Sequence, residues 1–511
     1  MAYTPQPLTF KPGIQRDGTR LTAMGRHIDG QWTRFVNGRP RKMKGYRELT
    51  AASDGIPRSF ESLFKGGTHY LHIGSNTNLR QLTFDASGIV SSTPQIRTPS
   101  AYTMQGDELW QFGTAYDPIT ANSAAIVAHP GRNLNDISSS VKTSVYMGGA
   151  TDTAQLTALS GLQQVSGGIC VVHPYLTIFG SDGYFGWSAP NSFNDQTTLS
   201  GGGEAYITSQ KLVRGFPIRG GNGPAGLYWS LDAVIRTGFI GGTATWSFDH
   251  VARGITVISS RCMAMGRNDT AYWPGTDCFY QYDGNVTELP NSYCSDWFYD
   301  NINMSARQKC FSYTNSRFGE IWFCFPYGTA TECSHAAIYN YRTGEWYDTA
   351  LPNGGRSGAL QPGSYGSPLM GGVEAVSGSY RIWEHESGND EVRGSTTVAI
   401  RSFIESSDVT MTTGQQPQNR TISCVAVEAD TKQIGTMSLT VTGNANARSA
   451  DVDAPAITFS PGPVDETQQI LRPKVERRQM RFRWESNVAG GYYELGLPIA
   501  HLGPGSGRET G

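Results

Sequence analysis

Apolar and aromatic residues in this chain fall into short strand-like runs, and the three- and four-residue spacing of a helix face is almost absent. HYLHIGS (69–75), YLTIFGS (175–181), ITVISS (255–260), DCFYQYDG (277–284) and GEIWFCFPYG (319–328) are examples. Gly, Pro, Asn and Asp separate the runs, which predicts short strands joined by tight turns. Helical patterns are confined to Ala154–Leu159 and Asn303–Arg307. The expected class is all-β, and a sandwich, a barrel and a propeller all satisfy this strand spacing.

A recurring unit favours the propeller. An aromatic strand, a two-residue turn and a second strand occur at Ser181-Asp182-Gly183-Tyr184-Phe185-Gly186-Trp187, at Tyr280-Gln281-Tyr282-Asp283-Gly284-Asn285-Val286 and at Tyr339-Asn340-Tyr341-Arg342-Thr343-Gly344-Glu345-Trp346. Residues 78–88 and 380–388 are weaker members. Asp-Gly and Thr-Gly suit hairpin turns flanked by cross-strand aromatics. The copies lie roughly 45 to 100 residues apart, against ~40–50 residues for one propeller blade, so the longer gaps hold a degenerate blade or an insertion. The third copy resembles a kelch repeat, with Tyr339, Thr343, Trp346, Leu351-Pro352 and Arg356-Ser357-Gly358 in kelch order. The kelch Gly-Gly pair is not clearly in place, so the match speaks for blade architecture and not for membership of that family. A β-propeller of about six blades is expected over residues 51–394.

From residue 395 the strands become more polar and regular. In TMSLTVTG, Met437, Leu439 and Val441 face one side, and Thr436, Ser438, Thr440 and Thr442 the other. That alternation predicts an antiparallel, sandwich-like module over 395–503 with one wet face. Residues 504–511, rich in Gly, form a loose tail.

Composition agrees with a folded chain: of 511 residues, 38% are hydrophobic, 11% aromatic and only 16% charged, whereas a disordered chain reverses that balance. Net charge is −2, but residues 1–50 hold ten Lys/Arg against three acids. A second basic group is Arg472, Lys474, Arg477, Arg478, Arg481 and Arg483. Such clusters meet an acidic partner or are simply solvated. The eight cysteines contain no CxxC pair, although Cys262, Cys278, Cys294 and Cys310 fall sixteen residues apart. Free buried thiols in strands are expected, without metal or cofactor. The N-terminal residues lack a basic region followed by an apolar run, and no stretch has the ~20 apolar residues of a membrane span, so no membrane insertion is expected.

Catalytic signatures are missing: there is no HExxH, G-x-S-x-G or P-loop. Ser181-Asp182-Gly183…Trp187 resembles the Asp-box turn of sialidases but lacks a residue between Ser and Asp, and no spacing marks an arginine triad. His69 and His72 stand an odd number apart on a strand and point to opposite faces. The chain is expected not to be an enzyme. The alternative is a propeller-fold glycan-binding or glycan-cleaving tail protein acting on a host surface.

The most distinctive residues lie at the two ends. Pro12-Gly13-Ile14-Gln15-Arg16-Asp17-Gly18-Thr19 is followed by Ile28-Asp29-Gly30-Gln31-Trp32-Thr33-Arg34-Phe35, Gly38-Arg39-Pro40-Arg41-Lys42 and Gly45-Tyr46. This resembles the opening of the tail nozzle and packaged-DNA stabilisation proteins of short-tailed bacteriophages, with Thr33 in place of Val and Lys44-Gly45 in place of Gly-Gly. Arg478-Gln479-Met480-Arg481, Gly491-Tyr492-Tyr493-Glu494-Leu495-Gly496 and Gly503-Pro504-Gly505-Ser506-Gly507-Arg508 resemble their ending, with Tyr493 for Trp and Ser506 for an Asp-like residue. The middle of the chain matches only in style.

The resemblance implies a homo-oligomeric ring, usually a hexamer, in the virion tail, assembled in the host cytoplasm. Its implied neighbours are the adaptor or portal-side neck protein above and a tail fibre or needle protein below. Packaged double-stranded DNA passes through without sequence reading. On this view residues 1–50 are an extended docking arm, with Arg34, Arg39, Arg41, Lys42 and Lys44 interleaved with Trp32, Phe35 and Tyr46 to meet an acidic neighbour. The competing reading is that Trp32, Phe35 and Tyr46 close the propeller with an N-terminal strand. The arginines could also face DNA, although a channel that lets DNA slide should not grip phosphates.

Overall fold

The computed structural model describes residues 3–53, 55–65, 67–84, 90–95, 109–117, 123–130, 145–149, 156–159, 162, 165–221, 223–242, 244–363, 365–410, 412–413, 416–417, 421–446, 448–462 and 470–506. Residues 85–88 of the weaker 78–88 repeat, Ala154 and Gln155 of the expected first helix, and Gly507 and Arg508 of the terminal motif lie outside them.

The chain is nearly all β. Six antiparallel four-stranded sheets follow one another at 57–95, 111–158, 168–206, 212–253, 264–288 and 311–350, each a simple meander. A seventh is built from Arg356–Leu360, Leu369–Val376 and Ser379–His385, and its fourth strand is Tyr46–Ser53, from the other end of the chain. First strands of successive sheets touch one another except between sheets four and five, and Arg356–Leu360 of sheet seven touches Pro57–Lys65 of sheet one. Sheets four and five meet through Trp229 and Trp273, rings 5.3 Å apart and nearly perpendicular. The result is a closed, propeller-like ring of seven sheets among the described residues, one more than the expected six.

Each junction between sheets has its own apolar cluster. Leu79, Trp110 and Ile126 fill the junction of sheets one and two, Val127, Ile178 and Tyr184 that of two and three, and Phe185, Tyr228 and Trp246 that of three and four. Phe279, Phe323 and Trp346 fill the junction of five and six, and Leu49, Phe60 and Ile382 that of seven and one. Burying such side chains is worth ~1.5–3 kcal/mol each, and alternation on each strand supplies both faces of a sheet to two neighbours.

The aromatic repeats now have an explanation. Phe279–Tyr282 with Val286–Glu288, and His335–Asn340 with Glu345–Ala350, are the third and fourth strands of sheets five and six. Gly284 and Gly344 adopt φ of 124° and 76° in the two turns, values that favour glycine. The copy at 380–388 has no following partner of its own because Tyr46–Ser53 takes that place. The expected helix at Asn303–Arg307 is a 3-10 turn, Met304–Lys309, started by the Asn303 side chain accepting from the Ser305 N–H. Ahead of it, Ser295–Asn301 is an α-helix that the periodicity did not reveal. Thr157–Ala158 is strand, not helix.

The two chain ends join in one module beside the ring, which corrects both terminal boundaries. Thr4–Pro7 pairs with Ile499–Pro504, which pairs with Ile422–Glu428. Lys11–Ile14 and Arg26–Gln31 add to Ser402–Ser406, Gln479–Ser486 and Met437–Asn444. Thr33–Val36 and Arg39–Lys42 form a hairpin that adds to Tyr492–Leu495 and Thr431–Ile434. Residues 1–50 are thus no extended arm, and 395–503 is no self-contained module: each lacks strands that the other supplies. Residue 51 also falls inside the closing strand rather than at a boundary. Met437, Leu439 and Val441 are buried as the alternation required. Seven of the eight cysteines are buried and all are free, with Cys278 half-buried.

Burial also sets an acid limit. His27 and His72 are enclosed, and burial pulls their imidazoles down to about 3 and about 4. Both stay neutral when folded and would take a proton near pH 6.5 when unfolded, so their contribution is full above pH 6.5 and declines as pH falls towards 4. Each adds a slope of ~1.4 kcal/mol per pH unit in that window. His72→Gln should flatten the acid limb of the unfolding free energy, measured by urea denaturation, by that amount; a slope equal to the parent's would contradict it. Separately, a chain beginning at residue 54 should lose cooperative unfolding, because sheet seven would lose its closing strand. A cooperative transition in that truncated chain would restore the detachable-arm reading.

Candidate interaction face

The basic motif near the N-terminus is a two-stranded hairpin. Asn37 and Gly38 at its tip have φ of 52° and 78°, the pair of left-handed residues that a tight hairpin turn needs. Cross-strand partners share a face, so Arg34 with Arg41 and Val36 with Arg39 point one way, and Thr33 with Lys42 and Phe35 with Pro40 the other.

The inward set builds the junction with the ring. Thr33 Oγ1 lies 2.8 Å from the Tyr493 hydroxyl and 3.0 Å from Ser402 Oγ, tying the two terminal motifs together. Lys42 is buried, and burial, partly offset by Asp390, brings its ammonium down to about 8. Trp32 donates its indole N–H to the Lys44 carbonyl at 3.0 Å, and its backbone N–H to Thr349 Oγ1 at 2.9 Å. Tyr46 donates to Glu391 at 2.7 Å and stacks on His385.

Arg34 points outward from its own sheet but is covered by the propeller. It donates to Glu386 at 2.9 Å and Glu320 at 3.1 Å and lies over the Phe318 ring at 3.7 Å. Tyr347 and Trp322 also donate to Glu320, at 2.7 and 2.9 Å. Burial alone would make Arg34 easier to deprotonate, but Glu320 and Glu386 outweigh it and hold the guanidinium charged. So Trp32, Arg34, Lys42 and Tyr46, expected at an interface, are internal residues; of the three aromatics in the ring-closing reading, Tyr46 is on the closing strand, and Trp32 and Phe35 are buried where the terminal module meets the ring.

Arg39, Arg41 and Lys44 do reach the surface, and the fold gathers other cations around them. Arg39 is 52% exposed on its side chain and pairs with Glu494 at 2.7 Å. Arg41 and the Lys44 ammonium lie over the Tyr492 ring, at 5.4 and 4.8 Å. Lys44 also donates to Asn389 Oδ1 at 3.1 Å. Arg317 comes from sheet six, over Phe318 at 5.2 Å, and Lys432 stands opposite Glu494 on the edge strand next to Ile434, which is 57% exposed. Crowding is felt: burial and then the charges of Arg41 and Arg317 lower the Lys44 pKa, against a smaller pull from Glu386. Sequence reasoning missed Arg317, Lys432 and Tyr492, which lie hundreds of residues away; only Tyr492 sat in a quoted motif.

Two members of the second basic group are ion-paired inside the chain, whereas Arg472, Lys474 and Arg477 are exposed. Arg481 reaches Asp451 at 2.6 Å and Arg483 reaches Glu485 at 3.3 Å. What remains at the hairpin is a cationic face with an aromatic floor, suited to carboxylates or phosphates of a partner. Among the described residues, no group of three or more His, Cys, Asp or Glu is placed to hold a metal, and no helix is long and apolar enough to cross a membrane.

No family model matches the chain, and no curated protein matches it. Among solved structures it is similar to virginiamycin B lyase from Staphylococcus aureus, at 10% identity and a TM-score of 0.39, covering 66% of this chain and 97% of that one. A streptogramin B lyase is similar at 11% identity and a TM-score of 0.38, with 66% and 96% covered. A fungal alcohol oxidase in complex with copper is similar at 12% identity and a TM-score of 0.43, with 91% and 99% covered. These proteins are enzymes, which overturns the expectation of a non-enzymatic chain, and that exclusion is withdrawn. At such identities and TM-scores the likeness assigns none of their reactions or ligands here.

Removing Arg34 should be far costlier than removing Arg39. Arg34→Ala leaves Glu320 and Glu386 buried without their counterion, a loss of ~3–5 kcal/mol, whereas an exposed pair such as Arg39–Glu494 is worth ~0–1 kcal/mol. Chemical denaturation of the two variants checks this; equal losses would contradict it.

Proposed function

We propose that this chain is a structural subunit of the virion tail of a short-tailed bacteriophage, forming a six-membered nozzle ring below the portal and adaptor. The ring continues the DNA channel, helps retain and later release the genome, and offers attachment to a fibre or needle. It is assembled in the host cytoplasm. The observation that supports this reading is that the two motifs resembling the nozzle family, at opposite ends of the chain, are paired in one sheet and carry the exposed Arg39 and the half-buried Arg41 and Lys44. Residues quoted for a resemblance alone have no reason to meet in space unless they act as one unit.

In this reading the basic face docks on an acidic surface of the portal-side neighbour. Tyr492 holds the Arg41 and Lys44 side chains in place, which reduces the rotamer entropy lost on docking. DNA would pass between subunits and not through a single propeller, because the Arg261 side chain crosses the ring from the sheet four–five connection to Ser59 of sheet one and Trp110 beside sheet two.

Electron microscopy of isolated tails should reveal a six-fold ring with a central channel of duplex width. Arg41→Glu combined with Lys44→Glu should leave the isolated subunit folded but stop its addition to portal–adaptor complexes, and parental binding should weaken as salt is raised. A monomeric protein absent from tails, or undiminished addition of the charge-reversed variant, would refute the proposal.

A further inference from the structure

Three ionisable side chains meet on the axis of the ring from sheets that are not neighbours. Glu61 is on the inner strand of sheet one, Arg214 on the inner strand of sheet four, and Arg261 in the connection between sheets four and five. The Arg261 guanidinium donates to the Trp110 carbonyl at 2.9 Å and to Ser59 Oγ. In a ring of seven, sheets one and two stand across the axis from the fourth and fifth, so this contact spans the shaft. Arg214 lies close enough to feel both Glu61 and Arg261, and its guanidinium is 4.7 Å from the Phe216 ring centre.

The two arginines differ from the enclosed, ion-paired ones; Arg356, also buried without a carboxylate at ion-pair distance, instead donates to His385 and to the Pro352 and Gly355 carbonyls. Arg34, Arg58 and Arg16 each have a carboxylate within 3.0 Å. Among the described residues Arg214 and Arg261 have none at ion-pair distance, and the buried Nε of Arg214 has no hydrogen-bond partner. Glu61 is the one carboxylate whose field reaches both, and the hydrogen bond it accepts comes from the Ser62 N–H beside it, at 3.2 Å. All three residues keep partial contact with solvent, so the shaft is open to small solutes.

Electrostatics leave this shaft short of negative charge. Burial pushes the Glu61 carboxyl up to about 7, despite Arg214 and Arg261, so that near neutral pH much of its charge is gone. Burial and repulsion by Arg214 bring Arg261 down to about 9, still protonated at neutral pH. Two guanidinium forks in a low-dielectric shaft, with one partly protonated carboxyl between them, carry an unmet demand for an anion.

We propose that the axial shaft is a binding site for a compact oxyanion, held between Arg214 and Arg261 in competition with Glu61. Planar guanidinium groups present paired N–H donors that match two oxygens of a phosphate or carboxylate. Bound there, the anion would link sheets one, four and five across the ring, and so stabilise the closed propeller by mass action. This site stands apart from the basic hairpin face and does not depend on the nozzle reading.

The test is titration of the purified full-length chain with inorganic phosphate, by calorimetry and thermal unfolding, at ionic strength held constant with chloride. Saturable one-site binding and a rise in Tm are expected. Arg214→Gln should weaken binding at least tenfold, since Arg214 makes no hydrogen bond whose loss would disturb the fold. Glu61→Gln, which removes the competitor, should tighten it. Should Arg214→Gln fail to fold, Arg214→Lys, which keeps the charge and loses the fork, is expected to bind more weakly than the parent. No saturable binding to the parent, an unchanged affinity in the Arg214 variant, an equal response to chloride, or weaker binding in Glu61→Gln would each overturn the proposal.

Discussion

Everything in this molecule depends on one strand pairing: Tyr46–Ser53 against Ser379–His385, closing the seventh sheet with a segment from the far end of the sequence. A ring of sheets has no hydrophobic face left over only if the last sheet packs against the first. Leu49 on the closing strand packs with Phe60 of sheet one and Ile382 of sheet seven, so the strand contributes hydrogen bonds and core together. Opening it would expose two edges and an apolar junction at once.

The closing strand also dictates the module beside the ring. Once residue 46 is fixed in sheet seven, the residues before it must lie near the residues after 385. Both then have unpaired strands and find each other: the hairpin at 33–42 pairs with Tyr492–Leu495, and Arg34 inserts between Glu320 and Glu386 of the ring. The buried ion cluster is therefore a joint between two parts and a poor source of net stability, because desolvation offsets most of the attraction. Its value is in registry, since no nearby arrangement satisfies both carboxylates. Arg39 and Arg41 reach solvent because alternation turns them away from the module's core, Lys44 lies just beyond the strand, and Tyr492 packs beneath Arg41 and Lys44.

Much of the fold was legible in local pattern, and little of its closure was. Tyr280–Gly284 and Tyr339–Gly344 identified hairpins correctly, because aromatic strands around a glycine turn leave a short-range mark. Sheet four escaped notice: its central hairpin turns at Leu231-Asp232 without a glycine, and its two glycine-containing connections, at 219–224 and 240–245, are longer than a tight turn. The seventh sheet was missed for a different reason, since no local pattern tells a closing strand from a free arm. The same limit governed the site. Clustered charge at 34–44 was visible, but whether an arginine faces a carboxylate or solvent depends on Glu320, Glu386 and Arg317, residues hundreds of positions away. The axial trio of Glu61, Arg214 and Arg261 left no trace in spacing, because residues on different sheets meet there only through ring geometry.

The pairing of Thr4–Pro7 with Ile499–Pro504 has a cost in time. During synthesis at roughly 5–20 residues per second, the strand at 4–7 waits ~25–100 s before its partner leaves the ribosome. Strand 46–53 waits for residues 379–385 in the same way. Until residues 379–385 emerge, the nascent chain carries up to six completed meanders and an unclosed seam whose edges can pair with another chain. Crowded synthesis of many copies is thus a hazard specific to this topology, and folding yield should depend more on spacing between ribosomes than on the stability of the finished ring.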